Sequence, residues 1–169
     1  MYNNLINKRI ILIGLVFIWC AVIFMFSAED SDESSEQSQS IVNTICEMLI
    51  PEYEDFTGTK RDEIIDKLEF WVRKTAHFTE YAVLGALCAA ALYGFKNKFR
   101  YPAAIGFSFL YACSDEIHQL FVPGRNGQFR DVLIDTSGAV LGTLIVFLIV
   151  LAMRKNKDKI HNTAKKTDT

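Results

Sequence analysis

Residues 76–95 read AHFTEYAVLGALCAAALYGF, and how this stretch is taken decides the fold. From Tyr81 to Phe95 it carries no charge. A run of about 20 mostly apolar residues is what a helix needs to cross the hydrocarbon of a bilayer. His77, Thr79 and Glu80 stand at its start, where they would lie just inside one face of the membrane. Three further apolar blocks share the chain, at 10–26, 101–121 and 132–153. The expected fold class is all-α: an integral membrane bundle of four transmembrane helices, forming one domain over residues 1–153.

The first block, Ile10 to Phe26, is an uncharged run of 17 residues. A cleaved signal peptide is the competing reading. Cleavage after Ala28 would put Phe26 where a small residue is wanted, which favours a retained helix.

Between the first two blocks, Ser27 to Glu69 holds 13 Asp and Glu against Lys60, Arg61 and Lys67. Within it Ile41, Val42, Ile45, Met48 and Leu49 recur at helical spacing, and Pro51 is expected to stop that helix. Thr59 followed by Asp62 and Glu63 resembles a capping-box start. The helix it opens gathers Ile64, Ile65, Leu68, Trp71 and Val72 on one face. Such a face predicts an amphipathic helix lying on the membrane surface, with Trp71 at headgroup level. Residues 154–169 predict a basic, disordered cytoplasmic tail.

The net charge of −2 hides a strong segregation, so it argues for no particular partner. Lys8 and Arg9, the loop from Lys96 to Arg100, and the C-terminal tail together hold 11 basic residues. The positive-inside rule then puts both termini and that loop in the cytoplasm of a multi-pass protein of the cell membrane. The acidic segment and the Val122–Arg130 loop face outward. Cys20, Cys88 and Cys113 fall in apolar blocks and Cys46 in a polar one, with no CxxC spacing, so neither a disulfide nor a thiolate zinc site is expected. No Gly-rich phosphate loop or nucleic-acid signature is present, and the cytoplasmic lysines suit anionic lipid.

A charge inside a bilayer costs at least ~2.5–3.5 kcal/mol on insertion scales, so it usually faces the bundle interior with a partner. At ~1.5 Å per residue, Glu80 lies about 6 Å in, Asp135 about 5–6 Å and Asp115 about 9 Å, all from the outer side. Faces agree as well as depths. Arg73, His77, Glu80 and Leu84 form one stripe; Tyr111, Asp115 and His118 form another, with Glu116 and Gln119 beside it. Asp131, Asp135, Gly138 and Gly142 line up on the last block, where Gly138-Ala-Val-Leu-Gly142 is a GxxxG that lets a neighbouring helix come close. Arg73, Lys74, Arg125 and Arg130 lie on the side where few cations are expected. They suit neutralising the carboxylates or holding an anion such as a phosphate headgroup.

Three ordered motifs in these residues resemble the signature of the VanZ-like family: Arg73-Lys-x-x-His77-Phe-x-Glu80-Tyr81, Ser114-Asp-Glu116-x-His118-Gln119-x-Phe, and Pro123-Gly-Arg125-x-Gly-x-x-x-Asp131-x-x-x-Asp135-x-x-Gly138. The Phe26-Ser27-Ala28 exit from the first block is similar too. The resemblance runs from about residue 10 to 150, and the acidic segment is its poorly matched part. It implies a small bacterial membrane protein of a family named for a member associated with teicoplanin resistance.

Two function classes follow. In the first, His77, Glu80, Asp115, His118 and Asp135 do acid–base chemistry on a lipid-linked or cell-envelope molecule. The ligand-binding set is then Arg73, Lys74, Glu116, Gln119, Arg125, Arg130 and Asp131. In the second, the protein is a non-catalytic scaffold, or it binds lipid or a lipoglycopeptide, and each His–carboxylate pair is a structural tie between helices. Histidine and carboxylates are also ligand types for a divalent metal, although HxxE and DExH have no established ligand spacing here. Neither Cys113 nor Ser114 is convincingly placed as a nucleophile. A small transporter fits less well, because the polar residues gather at one membrane face.

Overall fold

The computed structural model describes residues 2–49 and 58–167. Among these the chain is helical, with five helices: α1 (Tyr2–Ser27), α2 (Ser31–Leu49), α3 (Thr59–Ala91), α4 (Asn97–Gln119) and α5 (Phe129–Thr167). The described residues contain no strand. α3 is the central helix and packs against each of the other four.

Among the described residues, two helices are long and apolar enough to cross a membrane, Ile6–Ser27 and Phe129–Lys157, where the apolar blocks predict four. The helical part of the 76–95 block ends at Ala91, and the chain then turns at Gly94 with φ of 102°. Its last apolar residues therefore lie in a turn. α4 mixes Pro102, Ser108, Ser114, Asp115, Glu116 and His118 into its apolar run. Because α1, α4 and α5 cover α3, its inner face need not be as apolar as a lipid-facing helix. Tyr81 and Leu84 on it are fully buried, with Cys88, Ala89 and Ala91 following.

The amphipathic helix and the second apolar block are one continuous helix. Over 33 residues α3 is roughly 50 Å long, more than the hydrocarbon thickness. Its N-terminal apolar face does not lie open to a membrane surface. Ile64, Ile65, Leu68 and Val72 pack against Val42 and Cys46 of α2, both fully buried. Cys46 thus belongs to a small core, not to a polar surface, while Trp71 is exposed. α3 starts where expected, but Gly58 is its cap, with φ of 64° and no side-chain bond; its carbonyl accepts from Arg61 and Asp62. α2 ends at Leu49, and Pro51 lies outside the described residues. At the other end, α5 stays helical through the basic stretch that was expected to be disordered.

α1 is built into the bundle. Ile23 is fully buried, Trp19 donates from Nε1 to the Glu80 carbonyl at 2.8 Å, and Tyr111 donates to the Cys20 carbonyl at 2.6 Å.

The glycines of α5 set the α3–α5 distance. A Cβ on Gly138 would strike the Phe78 carbonyl, and one on Gly142 the Ala82 carbonyl. Gly85 of α3 returns the contact, pressed on the Ala139 backbone, and Thr143 donates to the Gly85 carbonyl at 3.3 Å. The backbones meet with no side chain between them, as the GxxxG predicts.

The α4–α5 loop turns at Gly124 with φ of 72°, a conformation that costs L-residues about 1–2 kcal/mol. Its Cα also lies against Ser31, whose amide donates to the Pro123 carbonyl at 3.3 Å. Gly124→Ala should therefore detach this loop from the start of α2, seen as faster limited proteolysis within residues 120–128.

Candidate functional site

The two ends of the bundle differ in chemistry. At one end Arg9 of α1 lies over the Phe95 ring, 4.8 Å from its centroid, beside the α3–α4 turn. Arg100 is buried there, donating to the Ala89 carbonyl at 2.6 Å and lying over Tyr93 and Tyr101. It closes the C-terminal end of α3, where a cation suits the exposed carbonyls. At the opposite end the carboxylates and histidines collect.

There, three helices bring one group each to a common point. A ring nitrogen of His77 on α3 and carboxylate oxygens of Asp115 on α4 and Asp135 on α5 all lie within 4.8 Å of one another. Asp115 is 4 % exposed and Asp135 1 %. Both oxygens of Asp135, Oδ2 of Asp115 and Nδ1 of His77 are buried with no hydrogen-bond partner among the described residues. Among the described residues, no Lys or Arg forms an ion pair with either aspartate. Unpaired buried carboxylates are costly and call for an explanation other than packing.

His77 also reaches a cavity of about 190 Å³. Arg73, His77 and Glu80 line it from α3, Ser34, Ser38 and Ile41 from α2, Phe26 and Glu29 from the α1 exit, and Arg125 from the α4–α5 loop. Glu80 Oε2 stands 3.8 Å from His77 Nδ1. Arg125 donates from Nε to the Glu29 carbonyl at 3.2 Å, and Arg73 to Ser35 Oγ at 3.4 Å. Burial pulls Arg125 below its ordinary pKa, the charge of Arg73 adds to that, and Glu29 opposes it. Two guanidiniums held near each other at a cavity are a natural anion site.

The other expected site residues surround this group without joining it. The ring of His118 packs on Phe24, with centroids 4.6 Å apart, outside the group formed by His77, Asp115 and Asp135. Lys74 is ion-paired with Asp131 and lies over the Phe70 ring, and exposed Arg130 lies near the same ring. Glu116 accepts from the Gln128 amide at 2.7 Å, fixing the loop, and its carbonyl leaves no room for a side chain at Gly127. Gln119 donates to Ser27 Oγ at 3.2 Å, and Ser27 in turn faces Asp115. Cys113 packs at the edge of the apolar core, and Ser114 donates to the Tyr111 carbonyl, so neither is poised as a nucleophile.

Sequence reasoning missed the part of the site that α2 supplies. Ser34 and Ser38 are one helical turn apart on the face that α2 turns to α3, and Val42 and Cys46 continue that line. The serine-to-apolar stripe was visible in the sequence; the acidic residues around it obscured it.

A family model, VanZ/LLP1, matches residues 12–151, and the chain belongs to that family. The match takes in all three motifs, and with them every residue of the cavity and of the His77–Asp115–Asp135 group. No curated protein and no solved structure matches the chain.

Proposed function

We propose that this VanZ/LLP1 protein crosses the cell membrane four times with both termini in the cytoplasm, and that its cavity binds the anionic headgroup of a lipid-linked cell-envelope molecule at the outer face. Four spans are supported by the large apolar side chains that α4 exposes, Phe107, Leu110 and Ile117, alongside those of α1 and α5. Water would penalise such a surface and lipid tails would not. The orientation is supported by Arg9, Arg100 and the α3–α4 turn at one end and the carboxylate end opposite.

The observation that carries the headgroup reading is the pair Arg73 and Arg125 on one small cavity, with serine hydroxyls beside them. Neither cation makes a carboxylate ion pair among the described residues, so each keeps donors for a phosphate. A hydrogen bond to a charged group contributes about 1.5–3 kcal/mol. In nanodiscs, Arg125→Ala should therefore weaken binding of a polyprenyl diphosphate by about tenfold or more. An uncharged polyprenol bound as tightly as the diphosphate would defeat the reading.

In cells, membership of the VanZ/LLP1 family, and not the site's geometry, is what supports a contribution to reduced susceptibility to teicoplanin-type glycopeptides. Expression should lower susceptibility, and Arg125→Ala should abolish the effect at equal protein level.

The second reading, a scaffold without chemistry, is favoured for part of the motif. The Lys74–Asp131, Gln119–Ser27 and Glu116–Gln128 contacts tie elements together and leave little capacity for a ligand. Those residues are better assigned to holding the cavity in shape.

A further inference from the structure

The cavity ends on His77, and behind His77 lie two aspartates that no cation of the described chain pairs with. We propose that His77, Asp115 and Asp135 together hold one divalent first-row cation, of the manganese or zinc kind, with its open positions toward the cavity.

Four observations converge on this. Each donor comes from a different helix, so local sequence does not force the three together. Asp135 is 1 % exposed with both oxygens unpartnered, and the Asp115 oxygen left without a partner is buried too. Two carboxylates and a neutral imidazole carry two negative charges, which one divalent ion balances. The dimensions are compatible. Donors on one such ion sit at about 2.0–2.2 Å and hence, at a tetrahedral angle, about 3.3–3.6 Å apart. The three atoms, within 4.8 Å of one another, need to close by no more than about 1.5 Å.

A nitrogen with two carboxylates suits manganese or zinc better than magnesium, which favours all-oxygen ligands. Three protein ligands leave coordination positions open, the arrangement of reactive and not of structural sites. Through those positions the ion would meet a phosphate oxygen of the headgroup held by Arg73 and Arg125. That role for the ion rests on the headgroup reading above; its binding does not. The rival account is a proton shared between the two aspartates, which balances one charge and needs no ion.

The test is titration of chelator-stripped, detergent-purified full chain with Mn²⁺, Zn²⁺ and Mg²⁺ alone, followed by calorimetry and metal analysis. About one Mn²⁺ or Zn²⁺ per chain is expected, bound at least a hundredfold more weakly by His77→Gln, Asp115→Asn and Asp135→Asn. Helicity and gel filtration report folding; if one variant fails to fold, the other two decide. Arg125→Ala should lose polyprenyl diphosphate and keep the ion, and Glu63→Gln should keep both. No ion in the stripped wild type, or an ion that survives all three substitutions, overturns the proposal. Mg²⁺ bound as well as Mn²⁺ overturns the place of His77 in it. Diphosphate binding that persists in either case leaves the headgroup reading standing.

Discussion

Gly142→Leu should unseat α5 from α3 and leave most of the protein unable to hold its native packing. Overpacking a well-filled core costs about 1–3 kcal/mol when side chains can yield. Here the obstacle is the Ala82 carbonyl, part of the backbone of the central helix, which cannot rotate away. The helices must part, and with them go the Thr143–Gly85 bond and the alignment of Asp135 with His77. Gly142→Ala should show a smaller loss in the same direction. Gly14 is the control, because a Cβ there meets nothing within 4 Å. Gly14→Ala should be neutral or gain up to about 1 kcal/mol from helix propensity. Thermal unfolding in detergent, followed by far-ultraviolet circular dichroism, ranks the three. Equal melting of Gly142→Leu and Gly14→Ala would refute the close backbone contact.

Asp135→Asn should change stability in opposite directions in two conditions. In metal-stripped protein it removes a buried carboxylate that forms no ion pair among the described residues, and the variant should unfold about 1–2 kcal/mol later than wild type. With Mn²⁺ or Zn²⁺ at 100 times the wild type's dissociation constant, wild type should gain about 2.7 kcal/mol and a variant binding a hundredfold more weakly no more than about 0.4 kcal/mol. The sign of the difference therefore reverses on adding metal. Stability given up for a ligand is the mark of a functional group; a purely structural carboxylate would lose stability on substitution in both conditions.

The helices were legible because the apolar blocks are separated by charge, and their polar faces because i, i+4 and i, i+7 spacing survives in any straight helix. That is how Arg73, His77, Glu80 and Leu84 could be put on one stripe. The packing of Gly138 and Gly142 was legible for a related reason: small residues at that spacing have few uses other than close approach.

Three things were not legible. Hydropathy cannot tell a lipid-facing helix from one sheathed by its neighbours, so the place of α3 at the centre of the bundle does not show in its apolar run. The apolar face at Ile64, Ile65, Leu68 and Val72 suits a membrane surface or a second helix equally; only the pairing with Val42 and Cys46 decides for α2. His118 stays within reach of the Asp115 charge, as its spacing predicts, but its ring also packs on Phe24, a partner 94 positions away on α1 that spacing does not show. Spacing fixes which face a residue occupies, and tertiary packing fixes what that face meets.

The central claim is that the polar end of the bundle opens outside the cell. Asn126, in the exposed α4–α5 loop, and Lys98, at the start of α4, report opposite ends. The native cysteines are buried or half-buried and give a low background. A membrane-impermeant maleimide applied to intact cells should label Asn126→Cys, and should label Lys98→Cys only after lysis. Labelling of Lys98→Cys in intact cells, with Asn126→Cys protected until lysis, would contradict the account.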